Sequence, residues 1–213
     1  MMSNIQNVLA IVAHPDDLEM MAGGAMLKWQ KKGAHIHVLI FTDGSWYTPE
    51  GVVLREPQET YQDVESVASF MGYESCEVLD ARNTHLEYDD RYVCEVLNRI
   101  SKYQIDTIVT TWNSDTNRDH EMASRIAKAA SRRVPRFLEA QVNYYMHEVF
   151  SPNMYVDISD VWEDKLKALT KYRSEWQRGG QDWGEFLDIT SRYYGKIVGV
   201  KRAEAFFCQK FLL

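Results

Sequence analysis

Short apolar runs alternate along this chain with longer stretches in which apolar residues recur at helical spacing. The continuous apolar run at residues 8–13 is typical of a strand buried on both faces, and a second strand is predicted at residues 35–41. Three further strands are predicted at residues 76–79, 106–112 and 137–144. Helices are predicted between the strands, at residues 23–33, 55–71, 91–103 and 118–132. This alternation predicts an α/β protein, a three-layer α/β sandwich with a mainly parallel, Rossmann-like sheet.

The C-terminal third, about residues 151–213, has a less regular pattern. A helix is predicted over residues 160–177, a break at Gly179-Gly180 and a further short helix over residues 182–194. Residues 202–211 fit either a strand or a short helix. Aromatic residues are dense here, which predicts a cap on the sheet and a candidate homo-oligomer interface, with any exposed rings available for sugar stacking. We expect one domain over residues 1–213, with this third packed on or capping it.

Charge and cysteine content narrow the class of protein. The 213 residues include 24 Lys and Arg against 31 Asp and Glu, a net charge of −7. This balance argues against a broad surface for nucleic acid or anionic membrane, because either needs clustered positive charge. Cys76, Cys94 and Cys208 have no CxxC spacing, which predicts reduced thiols and a cytoplasmic location. The N-terminal apolar run is short and has no basic region before it, so we expect neither a signal peptide nor a membrane span.

The segment His14-Pro15-Asp16-Asp17 directly follows the first predicted strand. In open α/β sheets ligands bind beyond the carboxyl ends of the strands, so chemistry is expected here. Imidazole and carboxylate groups are suitable zinc ligands, and a neighbouring carboxylate can act as a base in metal-assisted hydrolysis. A structural interpretation, in which Asp16 or Asp17 caps the following helix, explains the same pattern equally well.

A second polar segment, residues 113–121, follows the strand predicted at residues 106–112 and carries His120. The carboxyl ends of parallel strands meet at one edge of a sheet, so His120 is expected beside the same crevice. A catalytic zinc usually takes three protein ligands, and His120 is a candidate for the third. Taken alone, it would be interpreted as a surface histidine in the first turn of a helix.

In their order along the chain, these segments resemble the LmbE-like/PIG-L-like zinc-dependent de-N-acetylases. The most specific match is the AHPDD motif at residues 13–17, with Gly23-Gly24 downstream. Weaker matches follow the family's order of motifs: Thr42-Asp43-Gly44, Arg55-x-x-x-Glu59, Asp119-His120, Asp157-Ile158-Ser159 with Lys165 and Tyr172-Arg173-Ser174, and Ala203-Glu204-Ala205-Phe206. The resemblance spans nearly the whole chain.

The resemblance implies a role for each matching residue. His14, Asp17 and His120 are the expected ligands of Zn²⁺, with another divalent metal such as Fe²⁺ as the alternative. Asp16 is the expected general base that activates water. Arg55 matches a family position that contacts substrate, although it also fits an ordinary arginine in the first turn of a surface helix.

One departure from the family pattern concerns the general acid. The family's H-P-D-H element begins with a histidine, whereas this chain has Asn117 at that position. An amide can donate a hydrogen bond to an oxyanion but cannot deliver a proton to a leaving amine. Either Asp16 carries the proton in both directions, or another residue substitutes. His147 is the candidate substitute, against its interpretation as a surface histidine, and Tyr144 or Tyr145 is the candidate for polarising the carbonyl.

The implied activity is hydrolysis of an N-acetyl (N-acyl) group from an amino sugar, such as an N-acetylglucosamine derivative, or from its conjugate. Asp80, after the third strand, is a further candidate for binding sugar hydroxyls. The rival is a non-catalytic metal- or sugar-binding module on the same fold, which Asn117 favours. A dinucleotide-binding domain is rejected, because no GxGxxG follows the first strand and the HPDD turn puts negative charge where a pyrophosphate would lie.

Overall fold

The computed structural model describes residues 5–48 and 50–212, in which strands and helices alternate. The strands are β1 (Asn7–Val12), β2 (His35–Thr42), β3 (Trp46–Tyr47), β4 (Val53–Arg55), β5 (Ser75–Ala81), β6 (Thr107–Thr111), β7 (Arg136–Ala140), β8 (Met154–Asp157) and β9 (Ala203–Phe211). The helices are α1 (Asp17–Gln30), α2 (Pro57–Met71), α3 (Asp90–Lys102), α4 (Arg118–Ala130), α5 (Trp162–Leu169) and α6 (Arg173–Val198), with a 3₁₀ turn at Ser131–Arg133. Residues 1–4 lie outside the described residues. They belong to the N-terminal segment for which we expected neither a signal peptide nor a membrane span. Within the described ranges, no helix combines the length and apolar character that a membrane crossing requires.

Seven strands form one sheet in the order β5-β2-β1-β6-β7-β9-β8. The first five of these run parallel, and β9 pairs antiparallel with both β7 and β8. The chain passes from β1 outward to β2 and β5, then returns to β6 on the other side of β1. The sheet therefore has a topological switch point between β1 and β6, where ligands bind in folds of this kind.

Helices cover both faces of the sheet. Alternate residues of β1 pack in opposite directions: Val8 and Val12 join a core cluster with α1, α2 and α5, whereas Leu9 and Ile11 join one with α3 and α4. A strand in the middle layer must be apolar at every position, because neither of its faces reaches water. The predicted three-layer α/β sandwich with a mainly parallel sheet is confirmed.

Several predicted element boundaries are wrong. Arg55 is not in a helix: it ends β4, which pairs with β3, and α2 begins at Pro57, where a proline fits the first turn. Helix α1 begins at Asp17, earlier than the predicted residue 23. The strand predicted as far as residue 144 ends at Ala140, and β8 has no predicted counterpart. Of the two structures that fitted residues 202–211, the strand is the one found, as β9.

The break predicted at Gly179-Gly180 is also wrong, because both glycines lie inside the 26-residue helix α6. A β-carbon at Gly180 would overlap the indole ring of Trp176, one helical turn earlier. The glycine therefore makes room for an aromatic ring and does not end the helix. The predicted helices over residues 160–177 and 182–194 are replaced by α5, which ends at Leu169, and by α6.

Candidate active site

Two strand ends at the switch point bring the predicted metal ligands together. After β1 ends at Val12, the chain turns through His14 into α1. After β6 ends at Thr111, a loop leads into α4, so that His120 lies in the first turn of that helix. The Thr111 hydroxyl donates a hydrogen bond of 2.7 Å to the carbonyl of His120, which fastens the start of α4 to the end of β6.

His14, Asp17 and His120 form a compact cluster at this point. His14 Nδ1 lies 3.2 Å from His120 Nε2 and 3.4 Å from Asp17 Oδ2, and His120 Nε2 lies 3.0 Å from Asp17 Oδ1. Ligand atoms about 2.05 Å from a tetrahedral zinc ion lie about 3.3 Å from one another. The spacing of the three side chains therefore fits a single divalent ion.

Each histidine is held on its other ring nitrogen by a carboxylate. Asp119 Oδ2 lies 3.1 Å from His14 Nε2, and Asp115 Oδ2 lies 2.8 Å from His120 Nδ1. Asp119 is itself fixed by the backbone N–H groups of Thr84 and Leu86. A carboxylate on the outer nitrogen sets the tautomer and presents the inner nitrogen to a metal. This donor set suits Zn²⁺, and it also tolerates Fe²⁺.

The pKa values of the cluster follow from these contacts. Burial lowers the pKa of His14, but Asp17 and Asp119 outweigh it and raise that pKa to about 10. Burial likewise lowers the pKa of His120, and Asp17 and Asp115 raise it to about 9. Burial raises the pKa of Asp17, yet the two imidazoles hold it well below its usual range. The carboxylates thus favour positive charge at the centre of the cluster, which is what a divalent cation supplies.

Asp16 lies beside the cluster in a strained conformation. Its φ of 95° is in the left-handed region, which costs a non-glycine residue about 1–3 kcal/mol. It occupies the N-cap position of α1, yet its side chain makes no capping hydrogen bond, against the purely structural interpretation of this residue. Burial and the charges of Asp17 and Glu175 raise the pKa of Asp16 well above its ordinary value. A carboxylate with these properties is suited to accepting a proton.

A cavity of about 450 Å³ opens over the cluster. It is lined by Asp16, by Trp46 of β3, by the loop residues Tyr144 and Tyr145, and by α6. The α6 residues that line it recur every three or four positions and so form one face of the helix: Glu175, Arg178, Gly179, Asp182, Trp183 and Phe186. One helix therefore supplies a whole wall of the cavity.

Arg55 also lines the cavity, but it is buried, with 4 % of its side chain exposed. Its Nη1 lies 3.2 Å from Glu175 Oε1, and its Nη2 lies 3.5 Å from Asp63 Oδ2. The Asp63 carboxylate also accepts the backbone N–H of Arg173 in the first turn of α6. Arg55 thus joins β4 to the start of α6.

Asn117 and Tyr144, two more predicted substrate-binding residues, line the same cavity. Asn117 is the N-cap of α4: its Oδ1 accepts the Asp119 N–H at 2.9 Å, so that Nδ2 is the end left for a ligand. Tyr144 is exposed, and its ring packs edge-on against Phe186 of α6.

Asp80 and His147 are not brought to the cavity, against expectation. Asp80 is exposed at the end of β5, pairs with Arg91 at 3.0 Å and borders a different surface depression. His147 is exposed, and its backbone N–H donates to the Ser114 carbonyl at 2.7 Å. Its placement differs because residues 141–144 form a loop where a strand was predicted.

The two carboxylates that hold the histidines, and the cavity-facing residues of α6, were not predicted from the sequence. Asp115 and Asp119 stand in the same polar segment as His120, and the general preference of metal-bound histidines for an outer carboxylate could have selected them. The face of α6 was missed because the predicted break at Gly179-Gly180 interrupted its helical periodicity. When residues 173–198 are treated as one continuous helix, Glu175, Arg178 and Asp182 lie on the same face.

Comparison with known proteins places these features in a family. Residues 9–131 match the family model PIG-L, described as GlcNAc-PI de-N-acetylase. The match covers more than half of the chain and includes the whole candidate metal cluster and Asp16. The chain therefore belongs to the PIG-L family of de-N-acetylases, as the sequence motifs indicated.

Individual relatives extend the likeness beyond the matched segment. Diacetylchitobiose deacetylase from Thermococcus kodakarensis is 29% identical over an alignment of 227 residues, gaps included. The alignment covers 95% of this chain and 82% of that protein. The structure of N,N'-diacetylchitobiose deacetylase from Pyrococcus horikoshii has a TM-score of 0.81 at 23% identity, covering 99% of this chain and 87% of that one. GalB from Pseudomonas putida KT2440, a 4-carboxy-2-hydroxymuconate hydratase, has a TM-score of 0.79 at 16% identity, covering 98% of each chain. The fold therefore does not define the reaction, which has to be argued from the site.

Proposed function

We propose that the protein is a metal-dependent hydrolase that removes an N-acetyl group from an amino sugar or an amino-sugar conjugate. The observation that carries the proposal is the triangle of His14, Asp17 and His120 with the Asp16 carboxylate beside it in the same cavity. The Asp16 side chain makes no capping hydrogen bond to α1. Family membership supports the reaction, and the diacetylchitobiose deacetylase relatives support the sugar.

The roles of the residues follow from their positions. His14, Asp17 and His120 would hold one Zn²⁺ or Fe²⁺ ion, which when bound supplies a Lewis acid that lowers the pKa of a water molecule. Asp16 accepts the proton of the attacking water and returns it to the leaving nitrogen, since His147 lies away from the cavity lining. Asn117 Nδ2 donates to the amide carbonyl oxygen as that atom gains negative charge. The products are a free amine and acetate.

The cavity and the cysteines support the rest of the proposal. A volume of about 450 Å³ leaves room for far more than an acetyl group, and it lies in the usual range for small-molecule sites. Trp46, Trp183 and Tyr144 offer aromatic surfaces to the apolar face of a sugar ring. The three cysteines are free, which supports a reducing, cytoplasmic setting.

The test is amine release by the zinc-loaded protein from N-acetylglucosamine, N,N'-diacetylchitobiose and N-acetylated nucleotide sugars. We expect turnover by the wild type and a loss of about 10²–10⁴-fold in kcat for Asp16→Asn, with one bound metal ion retained. Asp80→Asn, outside the cavity, is the matched control and should behave as the wild type. Bound metal without turnover of any substrate would favour a non-catalytic binding module instead.

A further inference from the structure

We propose that the C-terminal half of α6 is an interface at which two copies of this chain pair about a two-fold axis, with their helices antiparallel. The inference goes beyond the proposed function, because it concerns assembly and its test does not depend on turnover. The aromatic-rich C-terminal third was the expected place for an interface between copies, and the pairing uses one face of one helix within it.

Three large apolar side chains form a stripe on this part of α6. Ile189, Tyr193 and Ile197 recur every four residues, so they lie on one face of the helix, and each is more than half exposed. Ile189 and Tyr193 also border a surface depression of about 570 Å³, which Lys196 and Lys201 line with them. A helix of a globular protein normally buries such a face against a neighbour. Within the part of the chain that the structure describes, nothing covers the stripe, so its cover is a second molecule.

The unpaired charges beside the stripe change sign along the chain. Asp182 and Glu185 precede the stripe, Lys196 and Lys201 lie at its C-terminal end, and all four residues are exposed. None of these four side chains makes a hydrogen bond or an ion pair with another described residue. Antiparallel helices bring the acidic end of one copy against the basic end of the other, whereas parallel helices would place like charges together. The charge pattern therefore favours a second copy of this chain as the partner, in the antiparallel arrangement.

The apolar and the charged contacts share one centre in the sequence. Ile189 stands two residues before Ser191 and Tyr193 two residues after it, while Glu185 stands six before and Lys196 five after. A two-fold axis makes each contact twice, with the same residues exchanged between the copies. One axis beside Ser191 therefore packs Ile189 on the partner's Tyr193 and sets Glu185 against the partner's Lys196. An apolar centre with a charged rim is the usual composition of an interface between proteins.

The same axis links the interface to the cavity over the candidate metal cluster. Asp182 stands nine residues before Ser191 and Lys201 ten residues after it, so the axis brings the partner's Lys201 to Asp182. Asp182 lines the cavity. Each copy therefore supplies a cation to the rim of the other copy's cavity, and the free carboxylate on the α6 wall gains its counter-ion from the partner.

Sedimentation velocity of the metal-loaded full chain over about 1–100 µM tests the pairing. We expect the wild-type assembly to contain an even number of copies and Tyr193→Glu to halve its mass, because two carboxylates would be buried at the apolar centre of the interface. Tyr88→Glu, the same change at an exposed tyrosine outside α6, is the matched control and should keep the wild-type mass. A wild type with a single copy or an odd number of copies, or a Tyr193→Glu of wild-type mass, would overturn the inference.

A charge exchange tests the register of the two helices. Glu185→Lys and Lys196→Glu should each weaken the pairing by about tenfold or more at low ionic strength, because like charges then face each other at both symmetric contacts. The double variant restores opposite charges and should pair within about twofold of the wild type. Glu65→Lys, at an exposed carboxylate of α2, is the control for the change in net charge and should pair as the wild type does. Single reversals without effect, or a double variant that pairs no more tightly than they do, would contradict the inference.

Discussion

Asp115 and Asp119 determine how the two histidines face the candidate metal site, although neither carboxylate belongs to the ligand triangle. We expect Asp115→Asn and Asp119→Asn each to weaken zinc binding by about 10–100-fold, because an amide neither fixes the imidazole tautomer nor raises its basicity as a carboxylate does. Competition with a chromogenic chelator measures the affinity. Asp160→Asn, a surface carboxylate paired with Lys28, is the control. Unchanged zinc affinity in both variants would contradict the proposed ligand set.

Asn117 has two separable tasks, since its Oδ1 caps α4 and its Nδ2 is left for the substrate. Asn117→Asp keeps the capping oxygen but removes the donor, so we expect near-normal stability with kcat lowered by about 10²–10³-fold. Asn117→Ala removes both, so we expect the same loss of kcat together with about 0.5–2 kcal/mol of stability. Urea unfolding and amine-release kinetics on the same preparations separate the two effects. Full activity of Asn117→Asp would remove Asn117 from the mechanism.

How far single residues could be predicted depended on whether their partners were local. The AHPDD segment predicted His14, Asp16 and Asp17 correctly as neighbours, since three or fewer residues separate them. A substrate contact by Arg55 stays a prediction, whereas the burial of Arg55 against Glu175, 120 positions later in the chain, was not predicted. No local pattern encodes such a partner, and only the packed fold defines it.

At the scale of elements, the paired glycines of α1 are not equivalent. A β-carbon at Gly24 would lie 2.7 Å from Ile158 Cγ2, and the Gly24 N–H donates to Glu204 at 2.9 Å. A β-carbon at Gly23 would lie 3.6 Å or more from its neighbours, which is ordinary contact. The second glycine is therefore needed for the close approach of α1 to the chain around Ile158, whereas the first is not.

We expect opposite effects of alanine at these two positions. Gly24→Ala should destabilise the fold by about 1–3 kcal/mol, because the added methyl group overpacks a buried contact. Gly23→Ala should stabilise it by up to about 1 kcal/mol, since alanine is the better helix former and no contact opposes it. Urea denaturation of the two variants measures the difference, and each serves as the control for the other. Equal effects would mean that α1 shifts to absorb the methyl group.

Elements were predicted well where the periodicity of apolar residues was strong and poorly where one residue type is compatible with two different structures. The apolar run at residues 8–13 predicted an interior strand, and β1 is that strand. Gly179-Gly180 was read as a break because glycine usually ends helices, yet here it accommodates the ring of Trp176 inside α6. Whether such a glycine ends a helix or makes room within it depends on aromatic packing, which sequence alone does not show.

At the scale of the whole molecule, buried polar pairs join elements that are distant in sequence. Lys165 of α5 donates to Glu204 of β9 at 2.6 Å and to the Met20 carbonyl of α1 at 2.8 Å. Glu19 of α1 accepts the hydroxyls of Tyr73 at 2.5 Å and of Tyr172 at 3.0 Å. Both sets of contacts are made to the first turn of α1, the helix that begins at the candidate ligand Asp17, so the stability of the molecule and the geometry of its site are linked.

Glu19 makes that stability depend on pH. Burial raises the pKa of Glu19 from 4.5 to about 7, although the two tyrosine hydroxyls favour its ionised form. The folded protein therefore binds this proton more tightly than the unfolded chain does. The resulting stability is fully present below pH 4.5 and is lost as the pH rises through about 7.

We expect Glu19→Gln to remove the contribution of Glu19 to the pH dependence of the unfolding free energy between pH 5 and pH 8, because a neutral amide has no proton to release. The contributions of His14 and His120, whose pKa values are also raised, remain in both proteins. Urea unfolding of metal-free wild type and variant at both pH values measures it. The readout is the difference between the two pH values and not the absolute stability, which the amide changes at every pH by altering the hydrogen bonds to the tyrosines. Glu121→Gln, a more exposed carboxylate on α4, should keep the wild-type dependence. An unchanged dependence in Glu19→Gln would mean that this carboxyl is ionised in the folded protein at pH 5, with the tyrosine hydroxyls outweighing its burial.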